Sequence, residues 1–457
     1  MFKRIAAGAL VLALIVVLAA AGWYYRPWSA YSPARITALD DPAEYPQTFQ
    51  RMAEILPSAP IAATAPAPFP LGEASLPESY LYDGQVRSLD EYFARGDVTG
   101  FAVLKDGVLV NEAYFHGARP DTTHTSWSVA KSFVATLIAQ ALHEGLIDSL
   151  DDPASKYAPQ YEGSDYGDTS LRHLLMMSAG MDFQEEYSPD RESDVRPLFF
   201  NAFIMRRDVD EMAGEIVRDR EPGRDLHYTS PNSHVLSAVA RAVYGDDLAG
   251  IVEDKLWGPL GMTHDASWLQ NRPGEDGQAI GYCCLQATTP DFARLGELYR
   301  LDGVWNGERL LPEGWVESAT IPNAAFQEPG ATAYGGRGYA LHFWVPEGYN
   351  GEYFAAGVYG QYVWVDTLRG VVIAQNAGDE NWGEISGEAY AVFRVVAEHV
   401  SPIESRFEAV ALEIRDAILA RQAGMGQADD SDTAPPSPEP TPETEPETPE
   451  TPEGDGR

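Results

Sequence analysis

A short apolar helix that carries a serine and a lysine is the strongest constraint on this chain. Ser128 and Lys131 are three residues apart, which places them on one face of a helix with hydroxyl and amine in contact. Gly145 is positioned to end the helix. The apolar residues at helical spacing are Val129, Phe133, Val134, Leu137, Ile138 and Leu142.

Lys131 is the feature that makes this helix unusual. The chain has only five lysines, and Lys131 is the only one of them inside such an apolar helix. A buried ammonium group is unfavourable unless it has a partner or a function. The serine-x-x-lysine spacing is common by itself, but this apolar context favours a catalytic pair.

The predicted position of Ser128 in the first helical turn suits acyl transfer. Backbone N–H groups there have no partner inside the helix, and the helix dipole is positive. Acyl transfer needs a nucleophile, an amine that helps to deprotonate it and an N–H group for the oxyanion. We therefore predict Ser128 as the nucleophile with Lys131 beside it.

The amino-terminal 28 residues are predicted to be a membrane anchor. An uncharged apolar run from Ile5 to about Trp23 is long enough to span a bilayer, and Lys3 and Arg4 favour a cytoplasmic start. A signal peptide cleaved near residues 19–21 is the alternative. In both cases the catalytic part is exported. The aromatic residues typical of a membrane interface are Trp23, Tyr24, Tyr25 and Trp28.

Net charge and cysteine content exclude several classes of protein. The net charge of −37 repels nucleic acid, and we attribute it to solubility. Cys283 and Cys284 are the only cysteines, so no disulfide framework follows and no metal site is predicted. A disulfide between the two neighbours is one reading; two small buried residues is the reading we prefer.

We divide the chain into four parts by composition. Residues 29–77 are rich in Ala and Pro and are predicted to be a spacer with some local helix. Residues 78–421 form the catalytic domain, and residues 422–457 are an acidic Pro/Glu/Thr tail without a core.

The domain is predicted to be α/β (α+β), with one antiparallel sheet built from both ends of the chain and an all-helical lobe between them. The catalytic helix would lie in the cleft. Predicted strands are residues 99–104, 108–114, 354–356, 362–365 and 370–374, and predicted covering helices are residues 386–399 and 404–420.

Two further segments carry candidate site residues. Tyr228 follows a turn and would project its phenol into the cleft, although a tyrosine there is more often a packed aromatic residue. Gly357 precedes a hairpin and permits close approach by a ligand, and the Val358 N–H is a candidate oxyanion donor. A tight bend without a catalytic role explains the second segment equally well.

The chain resembles the serine β-lactamase and penicillin-recognising hydrolase superfamily. It is most similar to the branch with class C β-lactamases, carboxylesterases of that fold and 6-aminohexanoate-dimer hydrolases. The resemblance runs from about residue 99 to 397. It rests on residues 127–132 (Trp-Ser-Val-Ala-Lys-Ser), 145–153, 170–181, 222–230 (Pro-Gly-Arg-Asp-Leu-His-Tyr-Thr-Ser), 281–296 and 355–361 (Ala-Ala-Gly-Val-Tyr-Gly-Gln).

The resemblance implies a β-lactamase/DD-peptidase-like fold and a role for each matching residue. Ser128 would be the nucleophile, Lys131 its partner and Tyr228 the base and acid, with the N–H groups of Ser128 and Val358 as oxyanion hole. No metal and no cofactor are implied. The host would be bacterial, with the domain in the periplasm or outside the cell. Substrate-binding residues would be Ser230, Gly357, Tyr359, Gly360 and Gln361.

Two departures from the family pattern favour ester or linear amide substrates. Ser230 stands where many β-lactamases have Asn, and Ala355 stands where a cation would bind a substrate carboxylate. We therefore expect an exported serine hydrolase for small or peptide-like esters and amides. The alternatives are a DD-peptidase or β-lactamase, and an inactive penicillin-binding-like module.

Overall fold

The computed structural model describes residues 2–404 apart from residues 30, 38, 40, 189, 190 and 246. Its α-helices are α1 (Phe2–Tyr25), α2 (Pro33–Thr37), α3 (Tyr45–Thr48), α4 (Met52–Ile55), α5 (Leu89–Arg95), α6 (Val129–His143), α7 (Leu171–Leu175), α8 (Val195–Phe199), α9 (Val209–Gly214), α10 (Ser230–Tyr244), α11 (Leu248–Val252), α12 (Thr289–Arg300), α13 (Trp315–Thr320) and α14 (Trp382–Val400).

Its strands are β1 (Ser58–Ile61), β2 (Ser79–Tyr82), β3 (Gln85–Ser88), β4 (Val98–Lys105), β5 (Val108–Tyr114), β6 (Thr123–Thr125), β7 (Ala266–Leu269), β8 (Leu285–Thr288), β9 (Val304–Trp305), β10 (Glu308–Arg309), β11 (Gly338–Tyr339), β12 (Trp344–Val345), β13 (Glu352–Gly357), β14 (Gln361–Asp366) and β15 (Val371–Ala377).

The central sheet joins both ends of the domain, as predicted. Its seven strands lie in the order β11-β12-β13-β14-β15-β4-β5. Strand β15 pairs antiparallel with β4, with Val372 opposite Leu104, and β4 forms a hairpin with β5. The predicted antiparallel sheet flanked by helices is confirmed.

Alternate residues of the sheet enter two separate cores. On β4, Ala102 and Leu104 pack on the face that contacts α6 and α12, whereas Phe101 and Val103 pack with α5 and α14. Because the side chains of a strand alternate between faces, a sheet covered by helices on both sides needs apolar residues in continuous runs. The predicted helix over residues 386–399 is part of α14.

The segment between β5 and β11 forms the predicted helical lobe and also contributes three strands to a second sheet, whose fourth strand, β1, precedes β4 in the chain. This sheet has the strand order β1-β7-β8-β6, which the sequence analysis did not predict. Strand β6 leads directly into the turn before α6, and β8 lies beside it. The small sheet therefore supports the amino-terminal end of the catalytic helix.

Part of the predicted spacer is packed into the domain, which corrects that prediction. Tyr45, Phe49 and Leu56 are buried, and β1 pairs with β7. The Phe49 carbonyl accepts a 2.9 Å hydrogen bond from the Thr125 amide. An Ala/Pro-rich composition does not show which of its aromatic residues will be buried, because their burial depends on contacts with residues distant in the sequence.

The predicted anchor forms a helix, and Arg4–Tyr25 is the one described helix long and apolar enough to cross a membrane. The prediction of a second covering helix over residues 404–420 falls mostly outside the described residues. The tail and the predicted domain end at residue 421 also lie outside them.

Candidate active site

Ser128 stands at the amino-terminal end of α6. It is the N-cap residue and already has helical dihedral angles, and the preceding Trp127 has a φ of +42°. A left-handed residue before a helical one makes a sharp turn from β6 into α6. Ser128 is half-buried, whereas 13 of the 15 residues of α6 are buried. The turn thus holds the hydroxyl at the edge of a rigid core.

Lys131 is buried, and its amine contacts three oxygen atoms. Its Nζ lies 3.0 Å from Ser128 Oγ, 3.0 Å from Ser230 Oγ and 2.8 Å from the Tyr282 carbonyl oxygen. The side chain is 2% exposed. The predicted contact between Ser128 and Lys131 is therefore present, and Ser230 joins it.

The hydrogen bonds of Ser230 and Tyr282 decide how Lys131 can use its protons. A carbonyl oxygen only accepts, so Tyr282 takes one N–H of the amine. The Ser230 hydroxyl donates to Glu185 over 2.6 Å, so its oxygen takes a second N–H. A neutral amine then has its lone pair left for Ser128, which is the geometry needed to accept the serine proton.

Glu185 is a site residue that the sequence reasoning missed. Its carboxylate accepts hydrogen bonds from the Ser230 amide at 2.8 Å, the Ser230 hydroxyl and the Tyr187 phenol at 2.6 Å. It lies in a loop without helical or strand periodicity, next to Glu186. No signal in the sequence distinguishes the two glutamates.

Burial and charge set the pKa of Lys131. Burial disfavours the ammonium form, and the negative charge of Glu185 opposes this only in part, so the pKa falls to about 8. Near neutral pH a useful fraction of the amine is therefore unprotonated. The amine is also 5.2 Å from the centroid of the Tyr228 ring.

Tyr228 lies in the same site, and the pKa of its phenol is shifted upward, in the opposite direction to that of Lys131. Burial and the charge of Glu185 raise the pKa of its phenol, while a side-chain hydrogen bond with Ser128 lowers it. Its ring stacks on Trp344 with centroids 5.4 Å apart. The phenol is thus protonated at neutral pH and is better suited to donate a proton than to remove one.

The two predicted oxyanion donors lie at adjacent backbone segments. A Cβ at Gly357 would come within 2.9 Å of the Ser128 nitrogen and 2.6 Å of the Ser126 carbonyl oxygen. Among the described hydrogen bonds, neither the Ser128 amide nor the Val358 amide donates to a protein acceptor. The end of β13 and the start of α6 therefore approach as closely as a glycine allows.

The remaining predicted substrate-binding residues shape the β13–β14 turn. The Gln361 side chain is buried. Its Nε2 donates a 2.7 Å hydrogen bond to the Ala377 carbonyl, and its Oε1 accepts a 3.1 Å hydrogen bond from the Asn376 side chain. It therefore holds the turn, and a contact between Gln361 and substrate stays a prediction. Gly360 has a φ of +87°, and the Tyr359 ring packs 4.8 Å from Tyr45.

Cys283 and Cys284 form a disulfide, and both residues are buried. The preferred prediction is two small buried residues without a bond between them. Their burial is confirmed, and the absence of a bond is wrong. Adjacent cysteines can join only if the intervening backbone adopts an uncommon conformation, which the sequence cannot reveal. Cys284 has a φ of +81°.

Comparison with known proteins identifies a family for this chain. The family profile described as Beta-lactamase matches residues 87–388, about two thirds of the chain. A 6-aminohexanoate-dimer hydrolase from Paenarthrobacter ureafaciens is 28% identical over 338 residues, which are 72% of this chain and 83% of that protein.

Solved structures show the same fold. A Bacillus anthracis protein provisionally assigned as a 6-aminohexanoate-dimer hydrolase superposes with a TM-score of 0.70 at 24% identity, over 79% of this chain and 95% of that one. EstCE1, described as a hydrolase with promiscuous acyltransferase activity, superposes with a TM-score of 0.54 at 16% identity. That match covers 67% of this chain and 96% of the other.

Proposed function

The chain belongs to the β-lactamase family and is a serine hydrolase, and from this premise we propose that it cleaves ester or linear amide bonds through an acyl-enzyme on Ser128. The observation that carries the proposal is the amine of Lys131, which is buried, has a lowered pKa and lies 3.0 Å from Ser128 Oγ. An inactive binding module would have no need for an amine in this state.

The first step is attack by Ser128 on the substrate carbonyl carbon. Neutral Lys131 accepts the serine proton as the new C–O bond forms, and becomes an ammonium ion. The carbonyl oxygen takes up negative charge and receives hydrogen bonds from the amides of Ser128 and Val358. The close approach of Gly357 to the Ser128 nitrogen supports this pair of donors.

The second step is departure of the alcohol or amine. The Tyr228 phenol donates its proton to the leaving group as the C–O or C–N bond breaks, and Lys131 returns a proton to the phenolate. A water molecule then attacks the acyl-enzyme carbonyl and gives its proton to the neutral Lys131 amine, which passes a proton to Ser128 Oγ as the acyl C–O bond breaks and the acid is released.

The substrate-facing end of β13 supports esters and linear amides over lactams. Ala355 and Ala356 carry no charge where related enzymes bind a lactam carboxylate. The nearby Arg337 already has partners within the protein. Its Nε donates a 2.8 Å hydrogen bond to the Tyr334 carbonyl, and its guanidinium lies over the Trp344 ring, 4.6 Å from the ring centroid. The names of the relatives agree with an amide or ester substrate.

We place the enzyme in the bacterial cell envelope, held by α1 with the domain on the outer side of the membrane. The apolar helix supports an anchor or a signal sequence. The Cys283–Cys284 disulfide supports an oxidising compartment, since disulfides persist there and are rare in the cytosol.

Labelling with a fluorophosphonate probe tests the nucleophile. Wild-type protein should be labelled once, Ser128→Ala should not be labelled, and Ser188→Ala, an exposed serine of the nearby loop, should label normally. Labelling of Ser128→Ala at the wild-type rate would exclude the assignment.

A substrate comparison on one preparation tests the specificity. We expect a higher kcat/KM for p-nitrophenyl butyrate than for nitrocefin, since a lost charge-assisted hydrogen bond to the lactam carboxylate costs about 1.5–3 kcal/mol. A tenfold preference for nitrocefin, equivalent to about 1.4 kcal/mol, would favour a β-lactamase.

A further inference from the structure

One turn contacts both the base and the segment that carries the nucleophile. At its start, the Tyr282 carbonyl accepts the 2.8 Å hydrogen bond from Lys131. At its end, the Leu285 amide donates to Ser126 Oγ over 3.0 Å, and the Leu285 carbonyl accepts from the Ser126 amide over 2.8 Å. Ser126 is two residues before Ser128. The spacing between Tyr282 and Leu285 therefore sets the position of the Tyr282 carbonyl, and of the N–H that it accepts from Lys131, relative to the Ser128 turn.

The two residues between these contacts are the disulfide-bonded cysteines. Cys283 and Cys284 are 2% and 0% exposed. Cys284 has a φ of +81°, in the left-handed region that residues with side chains rarely adopt. A covalent bond between adjacent side chains restricts the dihedral angles of both residues.

We infer that the Cys283–Cys284 disulfide is a positioning element of the active site, which holds the Tyr282 carbonyl against Lys131 at a set distance from the Ser128 turn. The inference rests on the proposed function, since it assumes that Lys131 removes the proton of Ser128. The cysteines themselves touch no reacting atom and act through Tyr282 and Leu285.

Loss of the bond should alter the site without unfolding the domain. The Cys283 amide donates to the Ile280 carbonyl, and the Cys284 carbonyl accepts from the Leu269 amide and from Gln286, each at 3.1 Å. The two hydrogen bonds of the Cys284 carbonyl remain in a serine variant, whereas the Cys283 amide belongs to the same peptide as the Tyr282 carbonyl and moves with it. The peptide between Tyr282 and Cys283 gains freedom to rotate, and its carbonyl then no longer directs one N–H of Lys131 away from Ser128.

The test compares Cys283→Ser, Cys284→Ser and the double variant with wild type in the full chain. The rate of fluorophosphonate labelling should fall by about 10–100-fold, the size expected for a misplaced catalytic group. The loss should be equal in all three variants, because each breaks the same single bond. Ser267→Ala on neighbouring β7 is the control and should label like wild type.

The pH profile of labelling separates positioning from general destabilisation. In the cysteine variants its midpoint should move from the wild-type value by about half a unit or more, because the surroundings of the Lys131 amine change. Equal labelling rates and pH midpoints in wild type and variants would overturn the inference alone. A wild-type protein that is not labelled would overturn both it and the proposed function, and wild-type thiols that alkylate without reduction would overturn the inference.

Discussion

The Ser230 hydroxyl donates a 2.6 Å hydrogen bond to Glu185, and its oxygen lies 3.0 Å from the amine of Lys131. Because one hydroxyl has one proton, the bond to Glu185 leaves Ser230 as an acceptor towards Lys131. Glu185 thereby determines which direction the lysine lone pair takes, although it lies beyond hydrogen-bonding contact with the nucleophile.

Replacement of Glu185 by glutamine should therefore change both the rate and its pH dependence. The attraction that favours the ammonium form is lost, so the pKa of Lys131 falls and the rising limb of kcat/KM moves to lower pH. The plateau should fall by about 10–100-fold, because the amide no longer fixes the direction of the Ser230 hydroxyl. Glu186→Gln is the matched control, since Glu186 pairs with Arg191 and with loop amides. Equal effects of the two variants would contradict the role of Glu185.

Activity should rise with pH through a midpoint near 8. The pKa of Lys131 is lowered to about 8, so about one molecule in ten has a neutral amine at pH 7. The measurement is kcat/KM for an ester between pH 6 and 10. A flat profile over that range would show that Lys131 is not the base.

The same shift predicts a pH dependence of stability. The folded-state pKa of Lys131 lies below its unfolded value of about 10.4, so the unfolded state binds more protons between these two values. The free energy of unfolding contributed by this residue therefore rises as the pH increases from about 8 to about 10.4. Lys131→Met should lack this rise in urea unfolding measured at several pH values. If the free energy of unfolding of the variant rose equally with pH, the rise would come from groups other than Lys131.

Lys131→Ala and Tyr228→Phe should each lower kcat by about 10²–10⁴-fold. Both residues transfer protons in the same reaction. The fold decrease in kcat of the double variant should therefore be far smaller than the product of the two single fold decreases. Steady-state kinetics of the three variants supplies the comparison. Multiplicative losses would indicate that the two residues act independently.

Gly357→Ala should abolish most activity in a folded protein. The added methyl group would lie 2.9 Å from the Ser128 nitrogen and 2.6 Å from the Ser126 carbonyl oxygen, both backbone atoms that cannot easily move away. Loss of an oxyanion donor costs about 10²–10³-fold in kcat. Gly383→Ala is the control, because a Cβ at Gly383 meets no atom within 4 Å. Full activity of Gly357→Ala would exclude this segment from the oxyanion hole.

Phe49→Ala should destabilise the domain by about 3–5 kcal/mol. The Phe49 ring is 3% exposed and packs with its centroid 5.3 Å from that of Trp127 and 5.2 Å from that of Tyr359. Chemical denaturation measures the change. Arg51→Ala, which breaks only the exposed pair with Glu54, should have little effect. If Phe49→Ala were as stable as wild type, residues 29–77 would behave as a spacer, as the sequence predicted.

Local sequence patterns determined the elements on which the site is built. The apolar spacing after Ser128 predicted α6, the apolar runs on either side of the turn at residues 105–107 predicted the hairpin of β4 and β5, and later apolar runs predicted β13–β15. Three-residue spacing also brought Lys131 to Ser128. Each of these features depends on neighbours in the chain, so periodicity and propensity were sufficient.

Contacts between distant residues decided the rest. The Lys131 amine meets Ser230 and the Tyr282 carbonyl, which are 99 and 151 residues away in sequence, and Glu185 reaches Ser230 from 45 residues away. The Cys283–Cys284 bond and the burial of Phe49 likewise follow from how the chain packs. Hydrogen-bond direction, the pKa of a buried amine and the partner of a carbonyl depend on the three-dimensional surroundings, and no local pattern encodes them.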